Sequence, residues 1–325
     1  MKVKAVFFAT LIMVLASVLT PRSAAAKDDS TGISVNCSKG QTISGVLAKR
    51  PLDDIEIQIS GTCQEAVVID RDGVTLQGAG EAPTVVGTID VKGATRVNIR
   101  GLTIRGVPGA PFNTAEGAIN ITGGGSANVE GVRIEDVKTR GFQIIGGTAS
   151  IKDVTIVNGQ AGAFVFRSAG VTLAGSIVTE NSIFGMSVVY SGVFAKVADL
   201  SFNHGLFGLI VQVGSGLEHV IGHLTTNDNA VGVLLAGGGV YSYSSFVEAR
   251  RNSDFGIQIY EQSSMTPLIG APGGGPSVTI ADNPGVGISI ERQSDLELNK
   301  AGLITGNKIG IQVDNSLLRM ADTVV

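Results

Sequence analysis

One glycine recurs along this chain at a nearly fixed interval. Gly141, Gly162, Gly185, Gly208, Gly232, Gly256, Gly287 and Gly310 each open a short β-rich run, and their separations are 21, 23, 23, 24, 24, 31 and 23 residues. A fixed period in this range signals a solenoid, in which each turn stacks on the one before it. The runs are rich in Val, Ile and Leu at period two, so each turn reads as short strands paired in parallel with those of the next. One and three residues after the glycine stand Phe142/Ile144, Ala163/Val165, Met186/Val188, Leu209/Val211, Val233/Leu235, Ile257/Ile259, Ile288/Ile290 and Ile311/Val313. All are apolar and mark the inward face. Four residues before the glycine stand Asn158, Asn181, Asn252 and Asn283. Asn tolerates left-handed turns and forms side-chain ladders along a stack. The one long interval contains Pro267, Pro272, Gly273-Gly274-Gly275 and Pro276, which read as a loop inserted at a corner. With the earlier segments from Val74 and Val97, the pattern amounts to about ten to twelve coils, a rod roughly 50 Å long.

The N-terminus reads as an export signal over residues 1–26. Lys2 and Lys4 precede an apolar run from Ala5 to Leu19, Pro21 breaks it, and Ser23-Ala24-Ala25-Ala26 offers small residues for cleavage. The run is short for a membrane span, which needs about 20 residues. The mature chain is therefore expected to be secreted or periplasmic, with no span of its own. Export makes Cys37 and Cys63 readable as a disulfide. Between them, Thr42 to Ala48 places apolar residues at helical spacing. Residues 27–66 thus read as an N-terminal cap with a short helix, and 67–325 as the coils.

Composition removes several classes of function. Charged residues are 16% and the net charge is −4, which excludes a disordered chain and a basic nucleic-acid binder. Two cysteines exclude a four-cysteine zinc site. No motif asks for a cofactor or a metal.

On the coil period, the Asn-turn-Gly phrase and the cap helix, residues 34–325 resemble the right-handed parallel β-helix proteins of the pectate-lyase-like superfamily. They also resemble its secreted members known by their β-helix repeats alone. The resemblance implies an all-β, single-stranded right-handed parallel β-helix. It implies polysaccharide lyases, hydrolases and epimerases, but also adhesins and rods without chemistry. The motifs of the enzymes are not matched. Polygalacturonase-like members carry Asp-Asp, Gly-His-Gly and Arg-Ile-Lys; here the Asp pairs Asp28-Asp29 and Asp53-Asp54 lie outside the coils, and Asn203-His204-Gly205 is a weak echo. The Asp-Pro-His-Asp of alginate epimerases is absent.

Aligning the coils on their glycines brings residues one period apart into neighbouring rungs. Asp153, Ser176, Asp199 and His223 fall in one ladder, but a Ser-His-Asp relay needs His between its partners, and here it is not. His219 and His223 read as sharing a strand face, too far apart for one metal. Glu291 and Asp314 fall on successive outward rungs with Tyr260 one rung before them, and paired acids are the chemistry of glycosidases. Gln258, Ser289 and Gln312, two residues nearer the glycine, complete a strip suited to sugar binding. In the middle coils the same face reads Phe164, Phe166, Val189, Ile210 and Leu234, an exposed apolar stripe suited to contact with a partner. The last segment, from Leu317, reads as one more rung without a polar cap, a second surface for self-association. The function expected is an exported rod, non-catalytic, that acts at a surface, in adhesion or in carbohydrate binding. The alternative is a polysaccharide lyase, hydrolase or epimerase with an atypical site at Glu291 and Asp314.

Overall fold

The computed structural model describes residues 32–49, 54–108, 116–167, 169–268, 277–299 and 302–321. The segment read as an export signal, 1–26, and most of the inserted loop, 269–276, lie outside the described residues. Among the described residues, 30 strands join one continuous parallel system, coiled through about 12 turns. Three faces result. Sheet I begins with Ile33–Asn36 and Ile55–Ser60 and ends with Leu317–Ala321. Sheet II runs from Thr62–Gln64 to Leu303–Thr305. Sheet III runs from Val67–Ile69 to Ile309–Asp314. In the middle the chain stays extended through the corners, as in Thr148–Phe166 and Gly170–Val189, with register shifts where it bends.

The recurring glycines sit where each strand of sheet III starts. A Cβ on Gly162 would lie 1.9 Å from the carbonyl oxygen of Gly185, and one on Gly256 would lie 2.6 Å from that of Gly287. Each glycine thus leaves room for the backbone of the next, so the residue must repeat wherever the coil does. Beside this column runs a buried amide ladder. Asn252 Oδ1 accepts from the Asn229 backbone N–H at 3.0 Å, and Asn283 Oδ1 accepts from that of Asn252 at 2.8 Å. Asn307 Oδ1 accepts from the Asn283 N–H at 3.0 Å. The ladder differs from the spacing expected. Asn158 is exposed at a φ of 55°, whereas Asn229 and Asn307, three residues before their glycines, belong to the ladder. What counts is a side chain aimed into the corner, and corners differ by one residue in length.

The inward columns are aliphatic over most of the rod. One of them reads Ile57, Leu76, Ile99, Val129, Ile151 and Leu173, then changes to Ala195, His219 and Tyr243. His219 is fully buried and does not share a face with His223, whose exposed ring stacks on Phe246 with centroids 4.9 Å apart. The chain bends at Gly222, at a φ of 122°, and this resets the strand parity between the two histidines.

The N-terminal end is closed by a helix, α1 (Ile43–Lys49), whose Ile43 and Leu47 join the core. Glu65 holds its first turn, accepting from the backbone N–H of Ile43 at 2.7 Å and of Ser44 at 3.0 Å. Cys37 and Cys63 form the expected disulfide beside it. At the other end the inward pattern fails to bury its residues. Val313 is 45% exposed and Ile311 half-buried, because the last described rung has a neighbour on one side alone.

Candidate functional site

The register expected from the sequence is present on sheet III, but Ser289, expected to face outward, is fully buried and is not part of an open strip. Gln258, Ser289 and Gln312 are register partners on consecutive strands, and so are Glu291 and Asp314. Ser289 donates its hydroxyl to Glu291 Oε1 at 2.6 Å. Tyr260 is half-buried and packs against Ile210, Val231 and Leu234. The next residues turn the corner towards sheet I. There Glu261, Gln262, Arg292, Gln293 and Asn315 line a hollow of about 510 Å³, closed on one side by Gly237 and Gly238. Arg292 Nη1 is 2.9 Å from Glu261 Oε1 across it.

The apolar stripe is less open than its sequence suggests. Phe164 and Phe166 are half-buried, while Val189, Ile210 and Leu234 are each 8% exposed. The expectation of an exposed stripe is corrected by its neighbours. Outward side chains on adjacent rungs shield one another, and the rings of Phe184, Phe207 and Phe255 pack against the middle of the stripe. These phenylalanines occupy the position just before the recurring glycine, a column that also contains Arg140. That position carries a legible signal, since Phe stands there on three rungs.

The Asp153, Ser176, Asp199, His223 ladder is a backbone device. Asp153 Oδ1 accepts from the Ser176 N–H, and Asp199 Oδ1 from the His223 N–H, both at 3.0 Å. Neither aspartate contributes to a proton relay. For metals, the trio within ligand distance among the described residues is Cys37, Cys63 and Glu65. Its sulfurs are bonded to each other and its carboxylate holds helix α1.

The structure adds a site the sequence reading did not contain. On the outer face of sheet I a trough of about 670 Å³ runs along the rod, across the strands. Its floor is the register column Ser126, Thr148, Gly170, Gly192, Gly216 and Val240. Its wall is the column Asn128, Ser150, Thr172, Phe194, Glu218 and Ser242. The three glycines differ from those of sheet III. A Cβ on Gly192 or Gly216 would meet nothing within 4 Å, and one on Gly170 meets only a methyl at 3.7 Å. None of the three has a left-handed φ. Glycine weakens a strand and is otherwise retained where something approaches the backbone closely. Here the absent side chains keep the floor low over three consecutive rungs. Phe194, 38% exposed, stands as a ring at the edge of that floor. Hydroxyls and an amide supply hydrogen-bond partners beside it.

A repeating coil with a long outer trough defines a β-solenoid protein. A family model described as the right-handed β-helix region matches residues 31–202, and the chain belongs to that family. In fold it is similar to the A-module of mannuronan C-5 epimerase AlgE4 from Azotobacter vinelandii. The two are 15% identical, the match covers 87% of this chain and 90% of that one, and the TM-score is 0.51. The AlgE6 A-module from the same organism gives 14% identity, 86% and 92% coverage and a TM-score of 0.49. The catalytic domain of a GH87 α-1,3-glucanase gives 10% identity, 94% and 69% coverage and a TM-score of 0.36. At these identities the likeness is one of fold. No curated protein sequence matches the chain.

Proposed function

We propose that this protein is an exported rod that binds an extended polysaccharide along the sheet I trough without turning it over. The column of unobstructed glycines carries this reading. A sugar chain is long, narrow and rich in hydroxyls, and it advances by roughly one rung per residue. The trough is matched to such a ligand: an open floor, Asn and Ser/Thr partners at rung spacing, and Phe194 as a platform for the C–H face of one sugar. The disulfide fits an oxidising compartment. A second reading, turnover at Glu291 and Asp314, is favoured by the hollow beside them, where Arg292 and Glu261 could hold a sugar's polar groups.

Mature protein incubated with neutral and acidic polysaccharides, followed for bound polymer and for new reducing or unsaturated ends, separates the two. Binding without new ends, lost in Gly192→Val, is the expected result. New ends that vanish in Glu291→Gln and Asp314→Asn would establish the enzyme instead.

A further inference from the structure

We propose that sheet III carries a second ligand site, an aromatic platform flanked by two arginines, for a saccharide bearing a carboxylate or sulfate. Phe164 and Phe166 stack with centroids 5.6 Å apart. Phe184 lies 6.5 Å from Phe164, and Tyr190 lies 6.2 Å from Phe166. The four rings make one contiguous surface across two rungs, and Tyr190 is 57% exposed at its edge. A guanidinium rests on each of the two central rings. Arg140 lies 3.9 Å above the Phe164 centroid and Arg167 lies 5.0 Å from that of Phe166.

The two arginines lack the carboxylate partner that most arginines of the described residues have. Arg105, Arg251, Arg292 and Arg319 each hold a carboxylate within 4.0 Å. Among the described residues, Arg140 and Arg167 hold none. Arg140 is half-buried and donates one hydrogen bond, Nη1 to Gln143 Oε1 at 2.6 Å. A guanidinium has five N–H donors, and a buried cation without a counter-charge is costly. Stacking on Phe164 offsets part of that cost. A bound anion would supply the rest. Burial pulls the Arg140 pKa down, with no carboxylate acting against it.

The ligand follows from the two parts together. The exposed Tyr190 ring offers an apolar surface for the C–H face of a sugar, and the guanidiniums stacked on the two phenylalanines offer paired donors for a planar carboxylate or a sulfate. The site is on a different sheet from the trough, so it does not rest on the trough reading, and variants tell the two apart.

Calorimetric titration with oligogalacturonate, chondroitin sulfate oligosaccharides and cellohexaose tests the proposal. One or both acidic oligomers are expected to bind, more weakly as salt is raised. Arg140→Gln and Arg167→Gln should each lower that affinity about tenfold, a typical loss for a charge-assisted hydrogen bond. Tyr190→Ala should lower it too, and each of these losses should be of the same size when the substitution is made in a Gly192→Val background. Should Arg140→Gln fail to fold, Arg167→Gln and Tyr190→Ala change exposed side chains and carry the test alone. Failure of both acidic oligomers to bind, equal competition by cellohexaose, or unchanged affinity in the folded variants would overturn the site.

Discussion

His219 shows how much one residue can depart from its column. Most of its column along sheet I is aliphatic, yet it is fully buried with both ring nitrogens engaged: Nε2 with the Ala198 carbonyl at 2.8 Å and Nδ1 with Ser245 Oγ at 2.9 Å. The carbonyl fixes the tautomer, with Nε2–H donating and Nδ1 accepting from the serine. Desolvation is the main cause holding its pKa below the usual histidine value. The sign of the pH effect follows. Above about pH 6.5 both folded and unfolded chains hold a neutral ring, and stability does not depend on it. Below that, the unfolded chain takes up a proton that the buried ring resists, so stability falls until the folded pKa is reached. Denaturant melts at pH 7.5 and 5 should show a smaller loss in His219→Gln than in the wild type; equal losses would remove His219 as the cause. Sequence alone placed this histidine on the wrong face, because period two was carried straight through the corner at Gly222, where the positive φ resets it.

At the scale of the element, two glycine columns answer different demands. The column at sheet III was legible in the chain, because a backbone clash recurs once per coil and forces a fixed spacing. Gly256→Ala should cost about 2 kcal/mol through the contact with the Gly287 carbonyl. The trough column was not legible: Gly170, Gly192 and Gly216 occupy one position across rungs only once sheet I is registered, and no local motif marks them. Gly192→Val should leave thermal stability unchanged or raised, since valine suits a strand and meets open space there, while polysaccharide binding is lost. A thermal melt read beside a binding assay distinguishes the two columns directly. In the amide ladder, Asn252→Ala would strand the Asn229 N–H and the Thr226 carbonyl in the interior. About 3 kcal/mol of stability should be lost, measurable by urea titration. The Glu291 and Asp314 strip was read correctly as a register, because it depends on spacing alone. The openness of the apolar stripe was misread, because shielding depends on which rings stand one residue away.

Across the whole molecule, contacts run almost entirely between successive coils, so stability is close to a sum over neighbours. Damage at one end should stay there until fraying spreads. The Cys37–Cys63 bridge closes a 26-residue separation, for which chain entropy suggests about 3.5 kcal/mol. Reduction should expose the amides of the first coils in hydrogen exchange while those near sheet III's middle strands remain protected; uniform loss of protection would mean the rod unfolds as one unit. The trough inherits the same repetition, and this has a kinetic meaning. A uniform polymer shifted by one rung finds nearly the same floor and the same hydroxyls, so the bound state has several registers of similar energy. Exchange among them needs no full dissociation. Under the proposed binding mode the polymer would slide, and affinity should grow with the number of registers a longer chain makes available. Phe194 is the one aromatic residue lining the trough, and under the proposed binding mode it would act as the detent that gives a sliding chain a preferred stop.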